Sequence, residues 1–510
     1  MRKPLSLMLL LLGLLTVTQL VSAGPQACGS RVNNTHDKLL ECVTLEGVRG
    51  HQEAFQAIAD ANGGTRAAGT SGYDATIDYV VGTLEAAGYE VELNGFPFTF
   101  TPPSTLMQVT PVSETYATGA FSGSGFGEGT GQVIPVDLAL GEGAWPADPS
   151  TSTSGCEASD FVGLDFSGPF DIALVQRGAC FFSVKAVNAE AAGAEAVIIF
   201  NQGSDPSRMG LIVGNAASLP DGTPSNLTAM VVGASYLQGV ALSQPGSTAY
   251  IDVDPPVETT QYNVIAELPG RNDDNVIMAG AHLDSVQAGP GINDNGSGSA
   301  AILETAVQMA KVKPWNTVRF AWWGAEESGL IGSTNYVAGL SEDDLDRITL
   351  YLNFDMIGSP NHVFFIYDGD DSDGVGAGPG PEGSAQIEKV FEHFYDQVGE
   401  PYKGTDFSGR SDYGPFIAAG IPAGGLFTGA EGVKTVDEVA LWGGTAGEQY
   451  DPCYHLACDT VDNYNMHALD VNSDAVAYSI LQYAMSTEDI TGERGKGNFS
   501  PDHWHPEPVE

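Results

Sequence analysis

The sequence predicts an α/β protein with a mixed, mostly parallel central sheet flanked by helices, and with a β-rich insertion. Three observations predict it. The apolar runs Val318 to Trp323 and Ile348 to Phe354 are typical of buried strands. Amphipathic patterns typical of helices alternate with such runs. Over residues 101–258 the sequence pattern changes to short β-like runs broken by Gly, Ser, Pro and Thr. We therefore expect one α/β domain that is interrupted by this insertion and then completed.

The length and the two ends of the chain define its organisation. With 510 residues, of which 42% are hydrophobic, the chain is expected to form two or more domains. A basic start, an apolar stretch from Leu5 to Leu15 and small residues up to Ala23 predict a signal peptide, because the stretch is too short to span a bilayer. The expected parts are a signal peptide over residues 1–23, an α/β domain over 24–100 and 259–485, an insertion over 101–258, and a polar tail outside the core over 486–510.

The cysteines indicate the compartment. Six cysteines in an exported chain predict three disulfides. A structural zinc finger would need paired cysteine clusters, which the sequence lacks. We therefore expect a secreted, extracellular protein, and sequence proximity favours the pairs Cys28 with Cys42, Cys156 with Cys180, and Cys453 with Cys458.

The charge of the chain excludes one class of partner. Its 20 basic and 65 acidic residues give a formal net charge of −45. This surplus repels the phosphates of nucleic acids and anionic membrane surfaces. We expect neither a nucleic acid nor a membrane among the partners.

Polar side chains that can bind metal follow three predicted strands. His282, Asp284 and Asp294 surround the glycine-rich turn in AHLDSVQAGPGINDNGSGSA. VRFAWW is followed by Glu326 and Glu327, and ITLYLNF is followed by Asp355. In open α/β sheets ligands bind beyond the carboxyl ends of the strands, so these three ends are expected to converge on one point.

The residue types suit a hydrolytic two-zinc site. Two zinc ions about 3.5 to 4 Å apart need a bridging carboxylate and further ligands on each side. Asp294, just before a predicted helix, is expected to bridge, with His282 and Asp355 completing one metal. Glu327 and a second histidine would complete the other. Of nine histidines, His455 is the best placed, because a disulfide can close CYHLAC into a stiff loop.

Two further carboxylates near these ligands have other expected roles. Asp284 lies two residues beyond His282, on the same side of an extended strand, so we expect it to orient the imidazole and not to bind metal. Glu326 precedes Glu327, so the two side chains can face different groups. We expect Glu326 to be the general base that takes a proton from the metal-bridging water.

These motifs resemble those of the secreted two-zinc leucine-type aminopeptidases of clan MH, in the bacterial branch that carries a protease-associated (PA) insertion. The resemblance runs from about Gly63 to Met485 and rests on the motifs above together with GGLFTGAEG and CYHLACD. Within the insertion, the segment from Ile172 to Asn201 resembles the PA domain. The resemblance implies the zinc exopeptidase fold, two zinc ions per chain and the same ligands and base.

The resemblance also implies roles that the residues alone do not. It implies that Tyr454 stabilises the tetrahedral oxyanion, and that carboxylates near the metals and the backbone around Arg410 hold the free substrate amine. Met356 and Phe427 would line the pocket for the first side chain, which implies a preference for large hydrophobic residues. Some members bind calcium through a late pair of aspartates, which Asp470 and Asp474 match in spacing.

The expected function is removal of N-terminal residues from peptides or proteins with a free N-terminus, by a monomer. A carboxypeptidase of the same fold would need a basic cluster, and Arg410 is the one obvious cation near the motifs. A glutaminyl cyclase generally holds one zinc, and a receptor-like binding protein would lack ligands. The acidic loop Asp368 to Gly374 lacks the closing Glu of a calcium loop, so we expect a solvated rim.

Overall fold

The computed structural model describes residues 25–140, 152–204, 208–376 and 378–499. The expected signal peptide and residues 500–510 of the expected tail lie outside these ranges. Within them, no helix combines the length and apolar character needed to cross a membrane. The chain divides into two compact units, one made of residues up to Phe98 and from Thr260 onward, the other of Thr99–Thr259.

Strands form one sheet in each unit. In chain order they are β1 (Val91–Phe100), β2 (Thr105–Thr110), β3 (Glu114–Tyr116), β4 (Gly127–Pro135), β5 (Asp171–Gln176), β6 (Ala196–Phe200), β7 (Met230–Ala234), β8 (Thr248–Val253), β9 (Val257–Leu268), β10 (Asn272–His282), β11 (Asn316–Trp323), β12 (Ile348–Phe354), β13 (Phe365–Tyr367), β14 (Lys403–Thr405) and β15 (Ala423–Phe427).

Helices alternate with the later strands. They are α1 (Pro25–Ser30), α2 (His36–Leu40), α3 (Leu45–Ala61), α4 (Ser71–Ala87), α5 (Phe182–Ala191), α6 (Tyr236–Leu242), α7 (Gly296–Met309), α8 (Ile331–Gly339), α9 (Glu342–Arg347), α10 (Ser384–Val398), α11 (Tyr413–Ala418), α12 (Val436–Trp442), α13 (Met466–Met485) and α14 (Glu488–Thr491).

The larger unit is built on an eight-stranded sheet in the order β1-β9-β11-β10-β12-β15-β13-β14. β10 pairs in parallel with β11 and β12, and β12 pairs in parallel with β15. β9 and β13 run antiparallel to their neighbours β11 and β15. The mixed, mostly parallel sheet expected from the sequence is therefore confirmed.

Burial on both faces explains why the central strands are continuous apolar runs. Successive side chains of a strand point to opposite faces of the sheet. Trp322 packs in the core with Phe320 and helix α7, whereas Trp323 packs in a second core with Tyr351 and Phe416. A sheet covered on both faces has no solvent side and therefore no alternation of polar residues.

The inserted unit has its own sheet of seven strands in the order β3-β2-β8-β4-β5-β6-β7. β4 to β7 pair in parallel, and β2, β3 and β8 pair antiparallel. Helix α5 joins β5 to β6, as the segment from Ile172 to Asn201 predicts. Every residue of β5 and β6 is buried.

The start of the expected polar tail belongs to the larger unit, which corrects the expectation that the tail lies outside the core. Phe499 is only 5% exposed, and its ring lies 5.0 Å from that of His36. Gln482 of α13 donates a hydrogen bond of 2.8 Å to the carbonyl of Phe499. Burial of the Phe499 ring removes a large apolar area from water and so helps to anchor this polar segment.

The structure contains three disulfides, in the pairing expected from sequence proximity. They are Cys28–Cys42, Cys156–Cys180 and Cys453–Cys458. No free cysteine occurs in the part of the chain that the structure describes. Complete pairing is typical of proteins from oxidising compartments, which agrees with an extracellular or envelope location.

Candidate metal centre

The three polar strand ends meet at one edge of the larger sheet. β11, β10 and β12 are adjacent and parallel, with His282 in register with Trp323 and Gly280 in register with Asn353. The residues that follow these positions therefore lie side by side. The convergence expected from the sequence is observed.

The first group of possible ligands lies around His282. Its Nε2 atom lies 3.2 Å from Asp294 Oδ1 and 3.3 Å from Asp355 Oδ1. His282 is almost fully buried, and the three ligand atoms lie within 4.8 Å of one another. A single metal ion could be bound by all three.

The second group lies around His455. Its Nε2 atom lies 3.3 Å from Asp294 Oδ2 and 2.9 Å from Glu327 Oε2. Asp294 thus turns one carboxylate oxygen towards each imidazole. Asp294, the residue expected to bridge, therefore has the geometry that a bridging carboxylate requires.

The chemistry of the donors fits zinc. Two carboxylate oxygens, Glu327 Oε1 and Asp355 Oδ1, are buried without a hydrogen-bond partner among the described residues. A buried carboxylate oxygen without a donor is costly, and a cation removes that cost. Imidazole nitrogen and carboxylate oxygen in three-residue groups, with room for further ligands, are the donors of hydrolytic zinc sites.

The imidazoles and carboxylates perturb each other strongly. Burial opposes the charged form of Asp294, but hydrogen bonds with His282 and His455 outweigh it and lower the pKa of this carboxyl. Burial likewise opposes the charged form of His455, but Asp294 and Glu327 raise its pKa to about 10. At Glu327 burial prevails and raises the pKa to about 7. The two imidazoles and the Asp294 carboxylate therefore stabilise each other's charged forms.

Glu326 is separate from both groups but faces the same space. Its Oε2 atom lies 3.9 Å from His282 Nε2, and the residue is 8% exposed. Burial, and after it the charges of Asp412 and Asp355, raise the pKa of Glu326 well above its ordinary value, against the opposing effect of His282. A raised pKa makes the Glu326 carboxylate a stronger proton acceptor, which suits the role of a general base.

Asp284 supports the site differently from the sequence-based expectation. His282 Nδ1 lies 3.1 Å from the backbone carbonyl of Asp284 and 3.8 Å from its carboxylate. The carboxylate instead accepts hydrogen bonds from the backbone N–H groups of Glu326, at 3.1 Å, and Glu327, at 3.4 Å. The backbone of Asp284 therefore orients the imidazole, while its side chain positions the two glutamates.

Two charged residues that the sequence analysis did not single out hold the glycine-rich turn. Arg66 is fully buried and donates to the carbonyls of Pro290 at 2.8 Å and Gly291 at 2.6 Å, and also to that of Leu283. The Asp459 carboxylate accepts the backbone N–H of Asp294 at 2.9 Å. Asp459 ends the motif CYHLACD, but Arg66 has no local signal, because its partners lie more than two hundred residues away.

Asn295 and Ser411 also fasten the ligands. Asn295 caps α7 by accepting from Gly298 N–H at 2.9 Å, and it donates to the Phe354 carbonyl at 2.9 Å, which ties the bridge to the end of β12. The hydroxyl of Ser411 donates to Asp355 Oδ2 at 2.6 Å. Asp294 and Asp355 are thereby tied to residues of other elements.

A cavity of about 350 Å³ opens beside the two groups. Met356 and Phe427, expected to form the side-chain pocket, both line it, as do Glu326 and Tyr454. Leu330, Tyr367 and Tyr413 also line it. The cavity therefore joins the metal-binding side chains to a recess that Met356, Phe427 and these side chains line.

Arg410 lies at this cavity with two partners. Its Nη1 atom lies 2.7 Å from Glu431 Oε1, and its Nη2 atom donates to the Tyr454 hydroxyl at 3.2 Å. The Tyr454 ring stacks on His455 with 3.8 Å between ring centroids. Glu431 was missed by the sequence analysis, although it lies within the motif GGLFTGAEG.

The two acidic sites considered for calcium differ from each other. Asp470 is exposed and Asp474 half-buried on α13, and burial together with Asp470 raises the pKa of Asp474 to about 7. Calcium at this pair stays a prediction.

In the acidic loop, Asp368 is buried, which corrects the expectation of a solvated rim. The Glu388 carboxylate accepts the Gly369 N–H at 2.8 Å, so the fold brings to the loop a glutamate that the loop itself lacks.

The α/β sheet and the two histidine–carboxylate groups at its carboxyl edge define a metallopeptidase with an inserted β-rich domain. The model of peptidase family M28 matches residues 263–480, and that of the PA domain matches residues 131–242. An aminopeptidase of Pseudomonas aeruginosa is 48% identical over 466 residues, covering 89% of this chain and 84% of the relative. The chain belongs to peptidase family M28 and is an aminopeptidase with an inserted PA domain.

Two further proteins illustrate the range of the similarity. Leucine aminopeptidase 2 of Trichophyton rubrum is 38% identical over 472 residues, covering 90% of this chain and 89% of the relative. The solved structure of the zinc aminopeptidase BSAP from Bacillus subtilis matches with a TM-score of 0.60 and 23% identity, covering 89% of this chain and 98% of that one. The latter similarity supports the fold.

Proposed function

We propose that the enzyme is a secreted, monomeric aminopeptidase that uses two zinc ions to remove N-terminal residues, preferably large hydrophobic ones. One observation carries the proposal: Asp294 lies between His282 and His455 and offers one oxygen to each side. Asp355 would complete the first zinc site and Glu327 the second. The donor set and the buried, unpartnered carboxylate oxygens support zinc at both positions.

Glu326 is the proposed general base. When bound, zinc polarises a peptide carbonyl and lowers the pKa of water. Glu326 takes the proton of the attacking water and delivers it to the leaving amine, a role for which its burial beside His282 suits it. Tyr454 donates a hydrogen bond to the carbonyl oxygen as negative charge develops there.

The apolar recess supports a preference for large hydrophobic first residues. Met356 and Phe427 line it, and the ring of Phe427 is held by Phe365, 6.0 Å away between centroids. Carboxylates at the same cavity would hold the substrate's free amine. The fungal relative named a leucine aminopeptidase agrees with this preference.

The alternatives have less support. A carboxypeptidase needs a cation for the substrate carboxylate, and the guanidinium of Arg410 already pairs with Glu431. Among the described residues that line the cavity, no lysine and no other arginine occurs. A receptor-like protein would be expected to lack ligands, whereas two histidine–carboxylate groups that share Asp294 support an enzyme.

One experiment separates these functions. Activity on leucine amide, on its N-acetylated form and on a peptide with a C-terminal reporter is measured, together with zinc content before and after chelation. We expect cleavage of the free amide alone, about two zinc ions per chain as a two-metal site requires, and loss of activity on chelation. Cleavage of the acetylated substrate contradicts an aminopeptidase, and one zinc ion at full activity contradicts the two-metal site.

A further inference from the structure

Glu431 reaches the catalytic cavity through Arg410. Glu431 Oε1 lies 2.7 Å from Arg410 Nη1, and Arg410 Nη2 lies 3.2 Å from the hydroxyl oxygen of Tyr454. Both nitrogens belong to one planar guanidinium, so a contact that fixes one also fixes the direction of the other. The position of Glu431 therefore determines where Arg410 meets Tyr454.

The contact with Arg410 decides which way the Tyr454 hydroxyl donates. A guanidinium carries only donors, so the phenolic oxygen must accept this hydrogen bond. No residue in the described part of the chain accepts the hydroxyl hydrogen. That hydrogen is left for an acceptor in the cavity, which Tyr454 lines.

The ring of Tyr454 is held independently of its hydroxyl. It stacks on the His455 imidazole at 3.8 Å between centroids, with 25° between the planes. The loop that carries both residues is closed by the disulfide Cys453–Cys458. Stacking limits where the ring lies, whereas Arg410 is the one partner of the hydroxyl among the described residues.

The segment that carries Glu431 is fastened to the segment that precedes Tyr454. Tyr450 N–H donates to the carbonyl of Gly432 at 2.8 Å, and Asp451 N–H donates to that of Ala430 at 2.9 Å. Glu431 lies between these two carbonyls. It is therefore held in a constant position relative to the tyrosine.

This ion pair is too exposed to matter much for the stability of the fold. The side chains of Arg410 and Glu431 are 60% and 47% exposed. Exposed ion pairs contribute little to stability, because water and salt screen the attraction. Its removal can therefore be studied in a folded enzyme.

We propose that Glu431 is a positioning residue for the reaction: through Arg410 it holds Tyr454 so that the hydroxyl hydrogen faces the substrate carbonyl oxygen. The inference rests on the proposed function, in which Tyr454 donates to that oxygen. The negative charge on the oxygen is greatest in the transition state, so a misdirected donor lowers kcat and leaves KM nearly unchanged.

The test compares Glu431→Ala, which removes the acceptor, with Glu431→Gln, which keeps a neutral one. For Glu431→Ala we expect kcat on leucine p-nitroanilide to fall about tenfold, less than the 10²- to 10³-fold typical of losing a whole oxyanion donor. The phosphonic acid analogue of leucine, which carries tetrahedral oxyanions, should inhibit more weakly by a similar factor. Glu431→Gln should lose less kcat and less inhibition than Glu431→Ala. We expect KM, zinc content and thermal midpoint to be unchanged in both variants.

The chain offers a matched control in Glu53, which heads a second Glu–Arg–Tyr chain. Arg49 Nη2 lies 3.3 Å from Glu53 Oε1, and Arg49 Nε donates to the Tyr464 hydroxyl. Glu53→Ala removes an ion pair whose arginine and glutamate side chains are 33% and 60% exposed, and it should leave kcat and inhibition unchanged. A loss of kcat equal to that of Glu431→Ala would overturn the positioning role.

Tyr454→Phe separates failure of this inference from failure of the proposed function. If Tyr454→Phe keeps full kcat, the tyrosine is no oxyanion donor, and both that part of the proposed mechanism and the positioning role of Glu431 are contradicted. If Tyr454→Phe lowers kcat but Glu431→Ala does not, only the positioning role falls. We expect Glu431→Ala to cause no further loss in the Tyr454→Phe enzyme, because both changes remove one interaction; additive losses would overturn the inference.

Discussion

The Asp459 carboxylate holds the backbone of Asp294 by accepting its N–H at 2.9 Å. The second oxygen of Asp459 accepts the N–H of Asn293 at 2.8 Å. Two hydrogen bonds from consecutive amides fix the peptide plane in front of the Asp294 side chain. The carboxylate that lies between the two imidazoles is thus oriented by a residue more than 150 positions later in the chain.

Asp459→Asn should weaken metal binding while the protein stays folded. An asparagine offers one acceptor oxygen where the carboxylate offers two, so one of the two N–H groups loses its partner. Loss of such a supporting contact typically lowers metal affinity about 10- to 100-fold. Competition with a zinc chelator measures the change. Asp462→Asn, an exposed change in the same loop, is the control, and equal zinc affinities in both variants contradict the role of Asp459.

Glu326→Gln should separate metal binding from catalysis. The amide keeps the size of the side chain but cannot take a proton, so we expect kcat to fall by about 10²- to 10⁴-fold with both zinc ions retained. Glu327→Gln should instead lower the zinc content, because Glu327 Oε2 lies 2.9 Å from His455 Nε2 within the second group. Near-normal turnover of Glu326→Gln, or zinc loss from it, contradicts the assigned roles.

Phe427→Ala should change specificity more than overall activity. The recess would lose an aromatic wall, and one methylene of a hydrophobic substrate is worth about 10-fold or more in discrimination. We expect kcat/KM for leucine amide to fall by at least about 10-fold relative to alanine amide. The ratio of the two values, measured on one enzyme preparation, is insensitive to the active fraction. An unchanged ratio would show that the first side chain of the substrate does not bind against Phe427.

His36 makes stability dependent on pH away from the metal centre. Burial, with a smaller contribution from His393, lowers the pKa of His36 from 6.5 to about 4. Its ring stacks on Tyr478 at 3.9 Å and meets Phe499 edge-on at 5.0 Å. Between these pH values the unfolded chain binds more protons than the folded one, so stability falls as the pH is lowered from about 6.5 to about 4.

His36→Phe should remove that dependence and keep the ring contacts. We expect the variant to gain about 1–3 kcal/mol in the free energy of unfolding relative to wild type on going from pH 7 to pH 4.5. Denaturant unfolding at both pH values measures this difference. A gain of the same size at both pH values would show that the effect is packing and not protonation.

Local patterns were sufficient for the strand ends. Each apolar run indicates a buried strand, and His282, Glu326 with Glu327, and Asp355 lie at or just beyond the ends of these runs. Burial of such polar groups is costly unless they have binding partners. The parallel pairing of β10 with β11 and β12 then places these ends together. The CYHLAC loop likewise led to His455, and the family resemblance led to Arg410 and Tyr454; all three line the cavity.

The sequence by itself determined the fold class, the three disulfides and which side chains could meet at the carboxyl edge of the sheet, since each depends on periodicity or on short spacing. Only the tertiary structure decided what holds those side chains: Arg66 on the glycine-rich turn, Asp459 on the bridge, Ser411 on Asp355, and Glu431 on Arg410. These contacts join residues distant in the chain. Packing brings such residues together, and no local periodicity encodes which partner each polar group will find.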